Sequence, residues 1–350
     1  MKFSRILSIF LTLMVLGLAF DADAQKNKYK KRRKTSKKIS KYSGARFSAG
    51  RFRPYWYVGG ALNAGNYFGD LAPVSRRAST DISFTRPGFG LFGGYKFNHS
   101  LALRAGANWV RVFGDDVSAS PSSGDNAGRY QRNLSFRNDI KEFQLGLEIY
   151  LLPNYGGPNQ RLPFNVYLFV GGAVFHHEPH GLVPDFDYQA TNDESVPLPQ
   201  AGEWVKLRPL QTEGNDYRNI DFSIPFSVGA TLRIPGTPLN ASLEFGFRYL
   251  WTDYIDDVST NYRALDSFTD PLGRIMSDKS AVPFDSNGDA RDLSGINMVQ
   301  GADGFFRANS GVRPEGEKRG DAGDSDFIMM TQLKLTYNMG GVIRRRAKYR

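Results

Sequence analysis

Apolar and polar residues alternate with a period of two through much of the chain after position 55, and each such run marks a strand with one apolar face. Over 56–68, Trp56, Val58, Leu62 and Phe68 share one face, with Tyr57, Gly59, Asn63 and Gly65 on the other. Over 88–97, Phe89, Leu91, Tyr95 and Phe97 oppose Gly88, Gly90, Gly94 and Lys96. Over 101–109, Leu101, Leu103, Ala105, Ala107 and Trp109 oppose Arg104, Gly106 and Asn108. The most regular run, 142–151, sets Phe143, Leu145, Leu147, Ile149 and Leu151 against Glu142, Gln144, Gly146, Glu148 and Tyr150. Runs over 164–176, 220–234, 240–251 and 327–338 bring the total to eight. Pro225 cannot donate a ladder hydrogen bond, so a bulge is expected in the sixth run.

The connections alternate in length. Those at 70–86, 114–133, 177–219 and 257–325 are long, while those at 98–100, 153–163 and 235–238 are short. After the first 24 residues, no apolar stretch is long enough for a membrane-spanning helix. Short amphipathic strands joined alternately by long and short links predict an all-β chain: an eight-stranded antiparallel transmembrane barrel of the outer membrane, with its long loops extracellular. An even strand count brings both termini to the periplasmic side. Hydrocarbon cannot satisfy backbone hydrogen bonds, so the sheet has to close and send its apolar face to lipid. Trp56, Trp109, Tyr249 and Trp251, near strand ends, suit the aromatic girdles. Parity then turns Arg104, Glu142, Glu148, Glu244, Arg248 and Lys334 into the lumen. A barrel this narrow is filled by side chains, so these charges are expected to be an ion-paired plug with a structural role.

The beginning of the chain reads as a secretory leader. Lys2 and Arg5 precede an apolar stretch from Ile6 to Phe20, and Ala22-Asp23-Ala24 offers a cleavage pattern, giving a leader over 1–24. Charge then separates sharply. Residues 25–53 carry 13 Lys+Arg and no acid, and residues 340–350 carry 5 more. With the leader also set aside, the body holds 25 basic and 33 acidic residues. The division expected is a basic periplasmic tail over 25–54, a barrel over 55–340 and a basic periplasmic tail over 341–350. Lys30, Lys31, Arg32, Arg33, Lys34, Arg344, Arg345 and Arg346 are the candidate partner-binding residues, for anionic headgroups or an acidic protein. A periplasmic address argues against nucleic acid.

Little in the sequence points to catalysis. With no Cys there are no disulfides and no thiolate metal site. His176, His177 and His180 flank Glu178 and are the candidate metal ligands, but Pro179 breaks any helix that would align them, so no metal and no cofactor are expected. A lipid-modifying enzyme at the barrel rim would use such histidines, yet no G-x-S-x-G nucleophile motif accompanies them. The stretch 285–289 begins like a calcium loop, but its sixth and twelfth positions are Ala290 and Ile296. Arg319-Gly320-Asp321 has the form of an adhesion tripeptide and reads as a turn.

Five stretches together resemble the PorG-like family of outer-membrane barrels of the Bacteroidetes type IX secretion system. They are Asn66-Tyr-Phe-Gly-Asp-Leu71, Arg86-Pro-Gly-Phe-Gly-Leu-Phe92, Arg132-Asn-Leu-Ser-Phe-Arg-Asn-Asp-Ile140, Thr252-Asp-Tyr-Ile-Asp-Asp-Val258 and Lys318-Arg-Gly-Asp321. The resemblance spans 55–337. It implies a non-enzymatic barrel that anchors the periplasmic ring complex, of PorK and PorN type, to the outer membrane. It brings no catalytic residues. A general small barrel serving envelope integrity or adhesion, and a rim enzyme, remain the alternatives.

Overall fold

The computed structural model describes residues 52–72, 84–120, 127–185, 188–189, 195–196, 198–294, 297–300, 306–309, 316–323 and 326–340. The chain divides at Arg51 into two units, of which the second is described here. The expected leader, nearly all of the first basic tail and the tail at 341–350 lie outside the described residues.

Eight long strands form the barrel: β1 (Tyr55–Phe68), β2 (Arg86–Lys96), β3 (Leu101–Asp115), β4 (Ser135–Tyr150), β5 (Phe164–His176), β6 (Ile220–Arg233), β7 (Leu239–Leu250) and β8 (Phe327–Asn338). Each pairs antiparallel with its sequence neighbours. β1 closes on β8 over twelve pairs, from Tyr57↔Asn338 to Phe68↔Phe327. The cylinder therefore has no free edge, which is what a sheet needs in order to cross hydrocarbon. Pro225 does not create the expected bulge. Pairing between β5 and β6 lapses between Ser223↔Ala173 and Phe226↔Val170, but the register is the same on both sides, so no residue is inserted. The proline simply occupies a position that lacks ladder bonds to β5, while still opposing Arg248 on β7.

A tilted strand of about 9–11 residues spans a bilayer. β3 and β4 run to 15 and 16 residues, so their hairpin projects past the membrane on the side of the long loops. Along this hairpin the polarity inverts. Through the membrane, Leu103, Ala105, Ala107 and Trp109 face outward and Arg104 and Asn108 face inward. Beyond Trp109 the outward residues are Arg111 and Phe113 on β3 and Lys141, Asp139 and Arg137 on β4, all charged but Phe113, while Val110, Val112, Ile140 and Phe136 are buried inside. Outside the hydrocarbon layer water is the external solvent, so the strand reverts to the polar-out, apolar-in pattern of a soluble protein.

Lumen packing explains the glycine-rich inward faces. A Cβ on Gly94 would fall 2.2 Å from the ring of Tyr57, and one on Gly229 would fall 2.3 Å from the ring of Tyr167. Each of these large lumen side chains lies across a glycine of the neighbouring strand.

The described residues of the long loops form an external cap. It contains α1 (Asp116–Ala119), α2 (Ala127–Arg132) and α3 (Pro271–Ser277), with short strands Pro179–Leu182 and Trp204–Lys206. Those short strands extend the main sheet from β4. α3 starts where Asp270 accepts a hydrogen bond from the Leu272 amide at 2.9 Å, with Pro271 at its first position. The cap has its own apolar core of Val183, Leu198, Leu207, Leu265, Phe268, Ile275, Met276 and Val282.

Candidate functional site at the external mouth

Three layers stack along the barrel axis. The lowest is the charged lumen. Arg104 donates to Glu148 at 2.7 Å and to both oxygens of Glu244 at 2.8 and 3.0 Å. Lys334 donates to Glu244 at 2.7 Å. Tyr57 and Tyr167 donate to Glu148 and Glu244, each at 2.7 Å. Arg248 pairs with Glu142 at 3.2 Å, and Asn108 donates to the same carboxylate at 2.8 Å. The Arg104 guanidinium also lies 3.7 Å over the Phe169 ring. All six charged positions assigned inward by parity are buried in this network. The open space near the periplasmic end, lined by Lys96, Tyr150 and Arg161 among others, has a volume of about 40 Å³, enough for a few waters and no solute.

The second layer is apolar. Val110, Val112, Phe136, Ile140, Phe175, Leu250, Ile328 and Met330 form a stopper above the charges.

The third layer is a polar knot that ties the cap to the rim. Arg132 grips Asp116 through Nε and Nη2, at 2.7 and 2.8 Å, and donates to the backbone oxygens of Arg319 and Asp70 at 2.6 and 2.9 Å. Arg319 is itself buried. It donates to Glu213 at 2.9 Å, to the Asp257 carbonyl at 2.5 Å and to the Ser277 carbonyl at 3.2 Å. Asp70 accepts the Asp321 amide at 2.7 Å. Asp256 accepts from the Leu71 amide, and Asn138 donates to the Ile255 carbonyl at 2.8 Å. The Arg291 guanidinium is held by main-chain carbonyls, those of Ser280, Val282, Tyr130 and Gln131. Four of the five stretches that carry the family resemblance are thus hydrogen-bonded to one another here, 66–71, 132–140, 252–258 and 318–321. The fifth, 86–92, pairs with β1 beside them.

The Tyr67 hydroxyl lies 2.8 Å from Asp256 and 2.6 Å from Asp326. A phenol has one proton, so one of these contacts is a carboxylic acid donating to the phenol oxygen. Burial, and the charge of Asp70, push Asp256 well above the carboxylate range. Burial and Asp256 do the same to Asp326. Nearby, burial raises Asp257 to about 6 against the pull of Arg319, and raises Asp253 to about 7. Burial lowers Lys279, which donates to the Leu182 carbonyl, to about 7.

The three histidines have separate surroundings. His176 ends β5 opposite Lys141. His177 is buried between the rings of Phe175 and Tyr217, and burial lowers it to about 4. His180 makes its Nδ1 contact with the Glu178 carbonyl at 2.8 Å. Among the described residues no three His, Asp or Glu side chains are grouped to hold a metal. Asp285 accepts the Asn287 and Asp289 amides, closing a polar turn on itself. The burial of Arg319 also removes the adhesion tripeptide as an exposed unit. The eight candidate partner-binding cations in the tails lie outside the described residues. Asp116, Glu213, Lys279 and Arg291 did not stand out in the sequence, because nothing local marks a loop residue whose partner lies far along the chain.

Solved structures similar to the chain include Neisserial surface protein A, 7% identical with a TM-score of 0.33, covering 81% of this chain and 96% of that one. Ail, the attachment invasion locus protein of Yersinia pestis, is 8% identical with a TM-score of 0.31, covering 82% and 97%. A major outer membrane protein of Thermus thermophilus is 11% identical with a TM-score of 0.36, covering 81% and 99%. No curated protein matches the chain. The family model described as outer membrane protein beta-barrel domain matches residues 43–269. With eight antiparallel strands closed into a cylinder and that model covering most of them, the chain belongs to the outer membrane protein beta-barrel domain family.

Proposed function

We propose that the protein is a non-enzymatic, non-conducting outer-membrane barrel that works by holding a rigid folded cap at the cell surface, in envelope integrity or adhesion. The observation that carries this reading is the knot at the mouth. Two buried arginines, each bonded to at least three partners, fix the cap to a barrel whose lumen is filled. A pore would keep its mouth open, and a rim enzyme would bring its histidines together. The test is deletion of the cap loops 177–219 and 257–325, each replaced by a short turn. Loss of surface attachment or of envelope resistance to detergent, with the barrel still inserted, supports the reading. Unchanged behaviour refutes it.

A second reading is favoured by one specific observation: the stretches resembling PorG-like barrels are the ones that build the knot. On this reading the barrel anchors the periplasmic ring of type IX secretion, through partners of PorK and PorN type. A cross-linked pull-down from native outer membranes, with the tag in an external loop, separates the two. Retention of ring components, lost when 25–53 or 340–350 is removed, supports the anchor. No ring component in the retained material eliminates it.

A further inference from the structure

The charges buried in the lumen do not balance. Lys96, Arg104, Arg248 and Lys334 stand against Glu142, Glu148 and Glu244. Arg248 takes Glu142, Arg104 takes Glu148 and Glu244, and Lys334 shares Glu244. Lys96 is the cation left over. It is 3% exposed, and among the described residues its ammonium meets neither a carboxylate nor a hydrogen-bond acceptor. It lies 3.5 Å over the ring of Tyr150, whose hydroxyl donates to Glu148 at 2.8 Å. A ring face offsets only part of what an ammonium loses on leaving water.

The surroundings add positive charge. Lys96 lines the space of about 40 Å³ at the periplasmic end, together with Asn154, Arg161 and Asn240. Arg161 is a second buried cation held without a carboxylate. Its guanidinium donates to Asn240 Oδ1 at 3.0 Å and to the carbonyls of Pro158, Thr237 and Leu239. These bonds tie the connection at 153–163 to the turn at 235–238. With Asn240 Oδ1 taken by Arg161, its Nδ2 remains as a donor. The Gly156 amide orients Asn154 in the same way, donating to its Oδ1 at 3.1 Å. Glu148 also reaches this space, but it already accepts from Arg104, Tyr57 and Tyr150.

The neighbouring sequence holds no anion to fill the deficit. No Asp or Glu occurs in 52–58, 94–103, 149–169, 229–243 or 335–340, which form this end of the barrel. Residues 25–53 and 340–350 hold none either. A buried charge without a partner is costly, so the counter-charge has to come from outside the chain.

We propose that the space beside Lys96 and Arg161 is a binding site for one small anion, of chloride or formate size, taken from the periplasm. The space is too small for an organic metabolite, but such an ion takes the room of one or two of its waters. There it accepts a charge-assisted hydrogen bond from Lys96 and neutral ones from Asn154 and Asn240. The ion is a structural counter-charge for the periplasmic end, and the site does not depend on which reading of the cap is correct.

The test uses the full chain, purified in a zwitterionic detergent and exchanged into sodium gluconate, whose anion is too bulky for the space. Chloride or formate then replaces gluconate at constant ionic strength, and the unfolding midpoint is read from heat-modifiable gel mobility. Both small anions are expected to raise the midpoint saturably, by about 2–4 °C at a few times the dissociation constant. Lys96→Met removes the unpaired cation, and this variant is expected to fold and to show no such rise. A midpoint that is the same in gluconate, chloride and formate overturns the proposal. An equal rise in the folded variant is a general salt effect and also overturns it. Crystals of the unaltered chain soaked in bromide locate the ion without any variant. Anomalous density in contact with Lys96 Nζ is expected, and its absence overturns the site. Density that persists in Lys96→Met marks an adventitious ion only, and overturns it too.

Discussion

Glu244 is the most connected anion of the lumen, and its replacement by glutamine is a direct test of how the barrel is held. The carboxylate is fully buried and accepts four hydrogen bonds, two from Arg104 and one each from Lys334 and Tyr167. The lumen holds the cations Lys96, Arg104, Arg248 and Lys334 against Glu142, Glu148 and Glu244. Glu244→Gln keeps the volume but leaves Arg104 and Lys334 to share Glu148, which Lys334 reaches only at 4.0 Å. Removing one partner of a buried pair costs about 3–5 kcal/mol, because the remaining charge stays buried and uncompensated. Glu142→Gln loses a 3.2 Å contact to Arg248 and one bond from Asn108, so its cost is expected to be smaller. The assay is urea unfolding in phospholipid vesicles, followed by tryptophan fluorescence and gel mobility, with the slope checked for constancy. Adding Lys334→Met to Glu244→Gln removes the stranded cation as well. The double variant should therefore lose less than the two singles summed, by about 1–3 kcal/mol. A Glu244→Gln barrel within about 1 kcal/mol of the parent, or strict additivity in the double variant, refutes the view that these ion pairs hold the lumen.

Other outcomes are equally specific. Lys279 titrates near 7 in the folded cap and near its ordinary 10.5 when unfolded. Between those values the unfolded chain binds more protons, so the cap's thermal stability should rise from about pH 7 to about pH 9.5. Lys279→Met should flatten that rise, and a persistent slope in the variant would refute the assignment. In planar bilayers the purified protein should add no conductance steps, since side chains and an apolar stopper fill the channel; steps in the nanosiemens range, as an open pore gives, would contradict it. Arg319→Met should open loops 257–325 to trypsin in intact cells, whereas Asp321→Asn, at a side chain half exposed, should leave protection unchanged. Gly320→Ala should open them too, because the added Cβ would lie 2.7 Å from the Ser259 backbone nitrogen.

The barrel was legible in the sequence because its signal is local and periodic. Alternation located all eight strands, and parity alone sorted Arg104, Glu148 and Lys334 from Leu103, Leu147 and Leu335. The same rule ended β3 at Trp109 and began β4 at Glu142, six residues short and seven residues late. The cause is the inversion of polarity where the hairpin leaves the membrane. Apolar Val110, Val112 and Ile140 follow on the face that had been polar, so the alternation breaks while the strand continues. The cap was read as loops because its order has no period. Its core joins Val183 to Ile275 and Val282, and its ion pairs join Asp116 to Arg132 and Glu213 to Arg319. Such pairs cannot be matched from one chain of residues. The five resemblance stretches marked the mouth, but only the fold brought them together there.

The span of those contacts bears on how the molecule is made. Tyr67 and Asp326 are 259 residues apart, Asp70 and Asp321 are 251 apart, and Arg132 reaches Arg319 across 187. The seam that closes the cylinder likewise joins the first strand to the last. A chain cut short before its final strand lacks the seam, and one cut before Arg319 lacks the Arg319 and Asp321 contacts of the knot as well, however well its earlier hairpins pair. Closure of the wall and locking of its mouth thus both wait on the last part of the chain.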